Sequence, residues 1–131
     1  MAALSNYLEN KLLDHVLKGT VYTPPTTLFV ALFTTDPTDA GTGTEVIGGA
    51  YKRKVVTFGS ASNGAISNNV DVTFDIATAN WGTITHSGVY DAETGGNLLF
   101  HGKLTADKTI NIDDQFKVSS GSLTITIDWL F

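Results

Sequence analysis

Three histidines, His15, His86 and His101, are the most chemically versatile side chains of this sequence, because an unperturbed imidazole changes charge near neutral pH and ligates metals. Their spacing builds no site. No HxH or HExxH pattern occurs, and two strand histidines fall short of the ligand count of a zinc centre. His86 and His101 fall on the two arms of an expected hairpin, where they can approach each other. Asp36, Asp39 and Glu45 share one loop and could offer oxygens to calcium. The Asp-x-Asp-x-Asp-Gly spacing of a tight calcium loop is absent, however, and Asp36-Pro37 reads more simply as a turn started by a side-chain oxygen. Asp71 and Asp75 could form the carboxylate pair of a glycosidase. On the alternating run Asp71-Val72-Thr73-Phe74-Asp75 they share the outward face and read better as a solvated strand surface. No serine sits in a Gly-x-Ser-x-Gly elbow, and with no cysteine there is no thiolate nucleophile or disulfide. Gly41-Thr42-Gly43 and Gly95-Gly96 read as turn glycines outside any phosphate-binding strand-loop-helix. Trp81, Tyr51 and Tyr90 could stack on a sugar, although aromatics on strands usually belong to the core. The residues therefore predict no catalytic set, no metal and no cofactor, and a protein whose product is a surface.

The elements that would present this surface follow from periodicity. Leu8, Leu12 and Val16 recur every four residues with Leu13 and Leu17 beside them, which predicts a helix from about Asn6 to Leu17. Asn6 with Glu9 resembles a capping pair, and Gly19 stands where a left-handed cap belongs. So narrow a stripe must dock on something, its own sheet or a neighbouring subunit. Thr27 to Phe33 is apolar on both faces and predicts a central strand covered on both sides. Thr34 to Gly49 is a long loop, and loops of that length are usually functional or mobile. Strands are expected at Tyr51 to Phe58, at Ile66 and over Val70 to Ile76, with a tight turn at Asn63-Gly64. Thr83 to Tyr90 and Leu98 to Leu104 form the expected hairpin around Asp91 to Asn97. A second short hairpin is expected from Thr109 to Val118. Leu123, Ile125, Ile127, Trp129 and Phe131 alternate with polar residues except at Leu130 and predict a final strand. Exposed termini fray, so Trp129-Leu130-Phe131 should be tucked into the core or into a subunit interface.

The expected fold is mainly β: an antiparallel β-sandwich or jelly-roll-like barrel with one N-terminal α-helix. Residues 1–131 read as a single β domain, with the helix in 1–18 and the sandwich in 27–131. Its 131 residues are 42% hydrophobic and only 16% charged, with net charge −5. An acidic chain argues against nucleic acid, whose phosphates need a basic face. The one basic run, Lys52-Arg53-Lys54, reads as a charged edge strand that resists aggregation. No apolar run approaches the length of a membrane span, and the first residues lack the pattern of a secretory signal.

Several stretches in order carry a resemblance: Asn10 to Leu17, Thr27 to Gly41, Glu45 to Tyr51, Thr85 to Asp91 and Thr94 to Gly102. Over nearly the whole chain the sequence resembles a family of small tailed-bacteriophage virion proteins often labelled tail-fibre proteins. In size and type it is also similar to capsid decoration (cement) proteins. The resemblance implies a non-enzymatic virion protein made in the host bacterial cytoplasm. The first reading is capsid decoration on the major capsid protein, and the alternatives are a tail-fibre, tail-tip or baseplate subunit with tail proteins as partners, or a host-glycan-binding module. A homo-oligomer is expected. The residues proposed to meet a partner or neighbouring subunit are Leu8, Leu12, Val16, Asp36, Asp39, Trp129, Leu130 and Phe131.

Overall fold

The computed structural model describes residues 2–127. Its elements in chain order are β1 (Ala2–Leu4), α1 (Asn6–Lys18), β2 (Leu28–Phe33), β3 (Lys54–Val56), β4 (Ala65–Ser67), β5 (Val72–Thr73), β6 (Gly82–Tyr90), β7 (Leu98–Ile110), β8 (Lys117–Val118) and β9 (Thr124–Thr126). One five-stranded sheet has the order β1-β7-β6-β2-β3, and two small sheets pair β4 with β9 and β5 with β8. Every pairing is antiparallel. Among the described strands the large sheet stays open, so the arrangement is a β-sandwich and not a closed barrel.

The doubly apolar run 27–33 becomes the inner strand β2, held between β6 and β3. Successive side chains of a strand point to opposite faces. Val30 and Leu32 thus join the main core with Val56, Val72, Phe74, Trp81, Ile84, Phe116 and Ile125, between the large sheet and the small ones. Ala31 and Phe33 pack on the other face with Tyr90 and Leu98. Phe74 anchors the main core, meeting Phe116 edge-on with centroids 5.7 Å apart, Trp81 edge-on at 6.4 Å and Tyr51 face-on at 6.1 Å.

The expected hairpin is present and longer than its hydrophobic pattern. β7 runs on to Ile110 and pairs with Gly82 at its far end. Asp91 closes the turn by accepting from the Asn97 backbone N–H at 2.7 Å and from its side-chain amide at 3.0 Å. β1 covers only Phe100 to Gly102 of the other edge of β7. From Lys103 onward that edge carries no strand partner among the described residues. Asn63 and Gly64 both take positive φ, as the tight turn requires.

Four local expectations are corrected. The helix N-cap is Ser5, not Asn6: the Ser5 hydroxyl accepts from the Leu8 N–H at 3.2 Å and donates to Leu98 O. A cap that also ties to β7 fixes where the helix enters. Residues 2–4 are an edge strand that sequence pattern did not mark. The second hairpin, over 109–118, does not form. Its first arm is the end of β7, Asp113 turns with φ 74°, and Lys117-Val118 pairs with Val72-Thr73 instead. The strands expected at 51–58 and 70–76 shrink to Lys54–Val56 and Val72–Thr73, because only those short stretches find a partner strand. In the final strand β9 spans Thr124–Thr126, and the expectations for Trp129, Leu130 and Phe131 lie outside the described residues.

Candidate interaction surface

At 100° per residue the apolar stripe of α1 drifts around the helix, and the structure uses it in two parts. Leu8 is buried in its own chain and Leu12 is half-buried. Leu13, Val16 and Leu17 are 56%, 72% and 78% exposed, and Val21 just beyond the helix is 83% exposed. The helix contacts β7 and β1, and its exposed apolar residues all lie in its C-terminal half. Of the expected contact residues on α1, only Val16 is thus fully offered to a partner. Val21 had no periodic signal, because it follows the cap and not the helix.

The exposed end is held in one shape. Gly19 takes φ 74°, and the N–H of Thr20 donates back to Asp14 O at 3.0 Å. His15 Nδ1 accepts from the Tyr22 N–H at 3.3 Å and lies 3.0 Å from Thr20 O. A rigid apolar end loses little conformational entropy on binding.

Asp36 and Asp39 do meet the two strand histidines. His101 Nε2 lies 2.7 Å from Asp39 Oδ1, and Asp36 lies 3.9 Å from His86 Nε2 and 4.0 Å from His101 Nδ1. His86 and His101 therefore approach one loop together. Asp36 also starts the expected turn, accepting from the Thr38 N–H at 2.8 Å. The loop is closed at its base by Thr34 N–H to Thr44 O at 2.9 Å and Thr44 N–H to the Thr35 hydroxyl at 2.7 Å. Its third acid, Glu45, goes elsewhere, and among the described residues no three histidines or carboxylates converge as a metal cage.

Glu45 belongs to a buried clamp that sequence reading missed. Arg53 donates twice to its carboxylate at 2.9 Å, and donates to Ala92 O at 2.9 Å and Gly95 O at 2.8 Å. Its guanidinium carbon lies 3.6 Å above the centre of the Tyr90 ring. Tyr51 donates to the same carboxylate at 2.6 Å and accepts from the Leu32 N–H at 3.0 Å. The signal was present as Arg in place of Lys at the centre of 52–54, since the planar fork suits bidentate and stacked sites. Burial and the bond to Glu45 push the Tyr51 phenol up. Burial disfavours the Arg53 charge, but the Glu45 carboxylate outweighs it and raises its pKa. Lys52 and Lys54 take the other face as expected, at 3.8 Å and 2.8 Å from Asp75, and β3 is an edge strand.

The remaining chemical candidates resolve into structure. Asp75 is held below the usual carboxylate range by the bond from Lys54, and Asp71 by the Ser120 N–H and then Lys117. These two carboxylates face water in separate ion pairs. Trp81 is buried and donates to Gly49 O at 2.8 Å, while Tyr51 and Tyr90 pack inside. None of the three offers a free face to a sugar. No described helix is long and apolar enough to cross a membrane.

A family model described as Podophage GP4 fiber I protein gp80 matches residues 3–126. No curated protein matches the chain.

Proposed function

The chain belongs to the Podophage GP4 fiber I protein gp80 family, and from that premise we propose a non-enzymatic structural subunit of a phage tail-fibre assembly that joins an adjoining virion protein through the free end of α1. The observation that carries this reading is the exposed, rigidly capped set Leu13, Val16, Leu17 and Val21. Clustered apolar side chains that the fold itself leaves uncovered are the usual mark of a contact surface. The fitting partner is a neighbouring fibre or tail protein with an apolar groove, in the helix-in-groove mode.

Capsid decoration on the major capsid protein is the second reading. It draws support from the absence of any internal repeat in a chain of this size. Immunogold labelling of intact virions separates the two: label at the tail supports the fibre reading, and dense label over the head overturns it in favour of decoration. The contact itself is tested by Val16→Ser/Leu17→Ser. Both side chains are exposed, so stability should stay within about 0.5 kcal/mol. Incorporation into particles should fall sharply, and normal incorporation would sink the docking role of α1.

A further inference from the structure

An open pocket of about 490 Å³ lies where the start of α1, the loop at 39–41 and the turn at 95–97 meet, with Arg53 and Tyr90 among its lining residues. Small-molecule sites run from about 300 to 1,000 Å³. Its walls are tied together. The Asn6 N–H donates to Asp39 O at 2.8 Å, the Ser5 hydroxyl donates to Leu98 O, and Arg53 donates to Gly95 O at 2.8 Å. A pocket held in shape by such bonds spends little entropy on ordering itself around a ligand.

The pocket collects polar groups that have no partner among the described residues. Tyr90 is 8% exposed, yet its hydroxyl makes no hydrogen bond there, whereas the Tyr51 hydroxyl makes two. No described side-chain polar atom is sealed from solvent without a partner, so the Tyr90 hydroxyl opens to the pocket that Tyr90 lines. A polar group so deeply placed and unbonded calls for an explanation. The first N–H groups of a helix also need partners from outside it. Asn6 finds Asp39 O, Leu8 the Ser5 hydroxyl and Glu9 Ser5 O, while the Tyr7 N–H finds none among the described residues. Tyr7 lines the pocket as well. Asp39 spends Oδ1 on His101 and keeps Oδ2 unbonded.

Donors and acceptors thus converge with little net charge, since Glu45 already neutralises Arg53. An anion would meet Asp39, and a cation would meet Arg53 and the positive end of the α1 dipole. An apolar molecule would leave these groups dry and unpaired. A hydroxyl both donates and accepts, so a neutral hydroxyl-rich ring satisfies them together. We propose that this pocket binds a neutral pyranose sugar, held by the Tyr90 hydroxyl, the Tyr7 N–H and the Asp39 carboxylate. Tyr90 contributes its hydroxyl and not its face, which Arg53 covers at 3.6 Å. The site is separate from the apolar end of α1 and does not rest on the fibre reading.

The test titrates the full ¹⁵N-labelled chain with glucose, galactose, mannose, rhamnose, N-acetylglucosamine and N-acetylgalactosamine, each as free sugar and as methyl glycoside. The expected result is a saturable amide shift centred on Tyr7, Gly41 and Gly96. Either form supports the proposal, and a preference for the glycoside assigns the sugar to a glycan chain. Tyr90→Phe deletes an oxygen that bonds to nothing in the described chain, so the fold should persist and binding should weaken about three- to ten-fold. Ala40→Leu, at an exposed lining position, should obstruct binding at least as strongly. Val16→Ser/Leu17→Ser should bind as the parent does, which keeps this result separate from the α1 contact. No saturable shift with any of these sugars, shifts confined to another surface, or parent-like affinity in Tyr90→Phe would overturn the proposal. Tighter binding of glucuronate or glucosamine than of glucose would overturn it too, by assigning the pocket to a charge.

Discussion

Replacing Arg53 with alanine should be among the most damaging single changes in this protein, and its cost can be worked from its contacts. The guanidinium is 8% exposed and the Glu45 carboxylate 23%. Breaking a fully buried pair costs about 3–5 kcal/mol. Here Glu45 keeps the Tyr51 hydroxyl and gains some water, which lowers that figure to about 2 kcal/mol. Loss of the cation over the Tyr90 ring adds about 0.5–1 kcal/mol. The carbonyls of Ala92 and Gly95 sit in a turn that water reaches, so their contribution is smaller. The sum is about 3 kcal/mol, or a fall in Tm of about 10 °C for a chain of this length. Arg53→Lys keeps the charge without the fork and should cost about half as much. Urea unfolding followed by tryptophan fluorescence reads both. In a double-mutant cycle with Glu45→Gln the two changes should be non-additive by about 1–2 kcal/mol. An Arg53→Ala variant within about 0.5 kcal/mol of the parent, or strict additivity in the cycle, would refute the clamp.

Three further outcomes are expected. Asn68→Ala removes bonds to Val70 O, Ser119 O and the Leu123 N–H from a residue 2% exposed; it should cost about 2–4 kcal/mol in chemical denaturation. Gly43→Ala places a Cβ 2.6 Å from Pro37 Cα, a backbone neighbour with no side-chain freedom to yield. It should cost about 1–3 kcal/mol and speed amide exchange at Thr44, where the loop closes. Tyr22, Tyr51 and Tyr90 all have raised pKa values, chiefly through burial. An unfolded phenol ionises near 10.0, so the stabilisation linked to these groups is complete below that pH and declines as pH rises above it. Phenolate absorbance should therefore appear at higher pH in the folded protein than in urea, and coincident curves would contradict the burial of Tyr51.

The parts of the fold that were legible in the sequence are those with a strong local code. The two-faced run at 28–33 could only be an inner strand, the Asp91–Asn97 turn marked its hairpin, and Gly19 marked the helix end. Features decided by distant partners were not legible. Lys117-Val118 has no intrinsic preference for Val72-Thr73 over its chain neighbours, and Ala2–Leu4 is a strand only because β7 presents an edge to it. The surface divided in the same way. The apolar stripe of α1 was visible, but periodicity cannot tell where the underlying sheet stops, so Leu8 could not be separated from Val16. The pairing of Arg53 with Glu45 crosses the long loop and leaves no spacing to recognise.

The long overhang of β7 has a consequence for manufacture. A strand edge with no partner among the described residues is an invitation for copies of a chain to stack into sheets before they reach their place. From Lys103 to Lys108 this edge carries Lys103, Asp107 and Lys108. Two like subunits meeting there edge to edge must bring charges together at each encounter and desolvate them. Among the described residues, this stretch is therefore guarded against growth into sheets by its own charges and not by a covering strand.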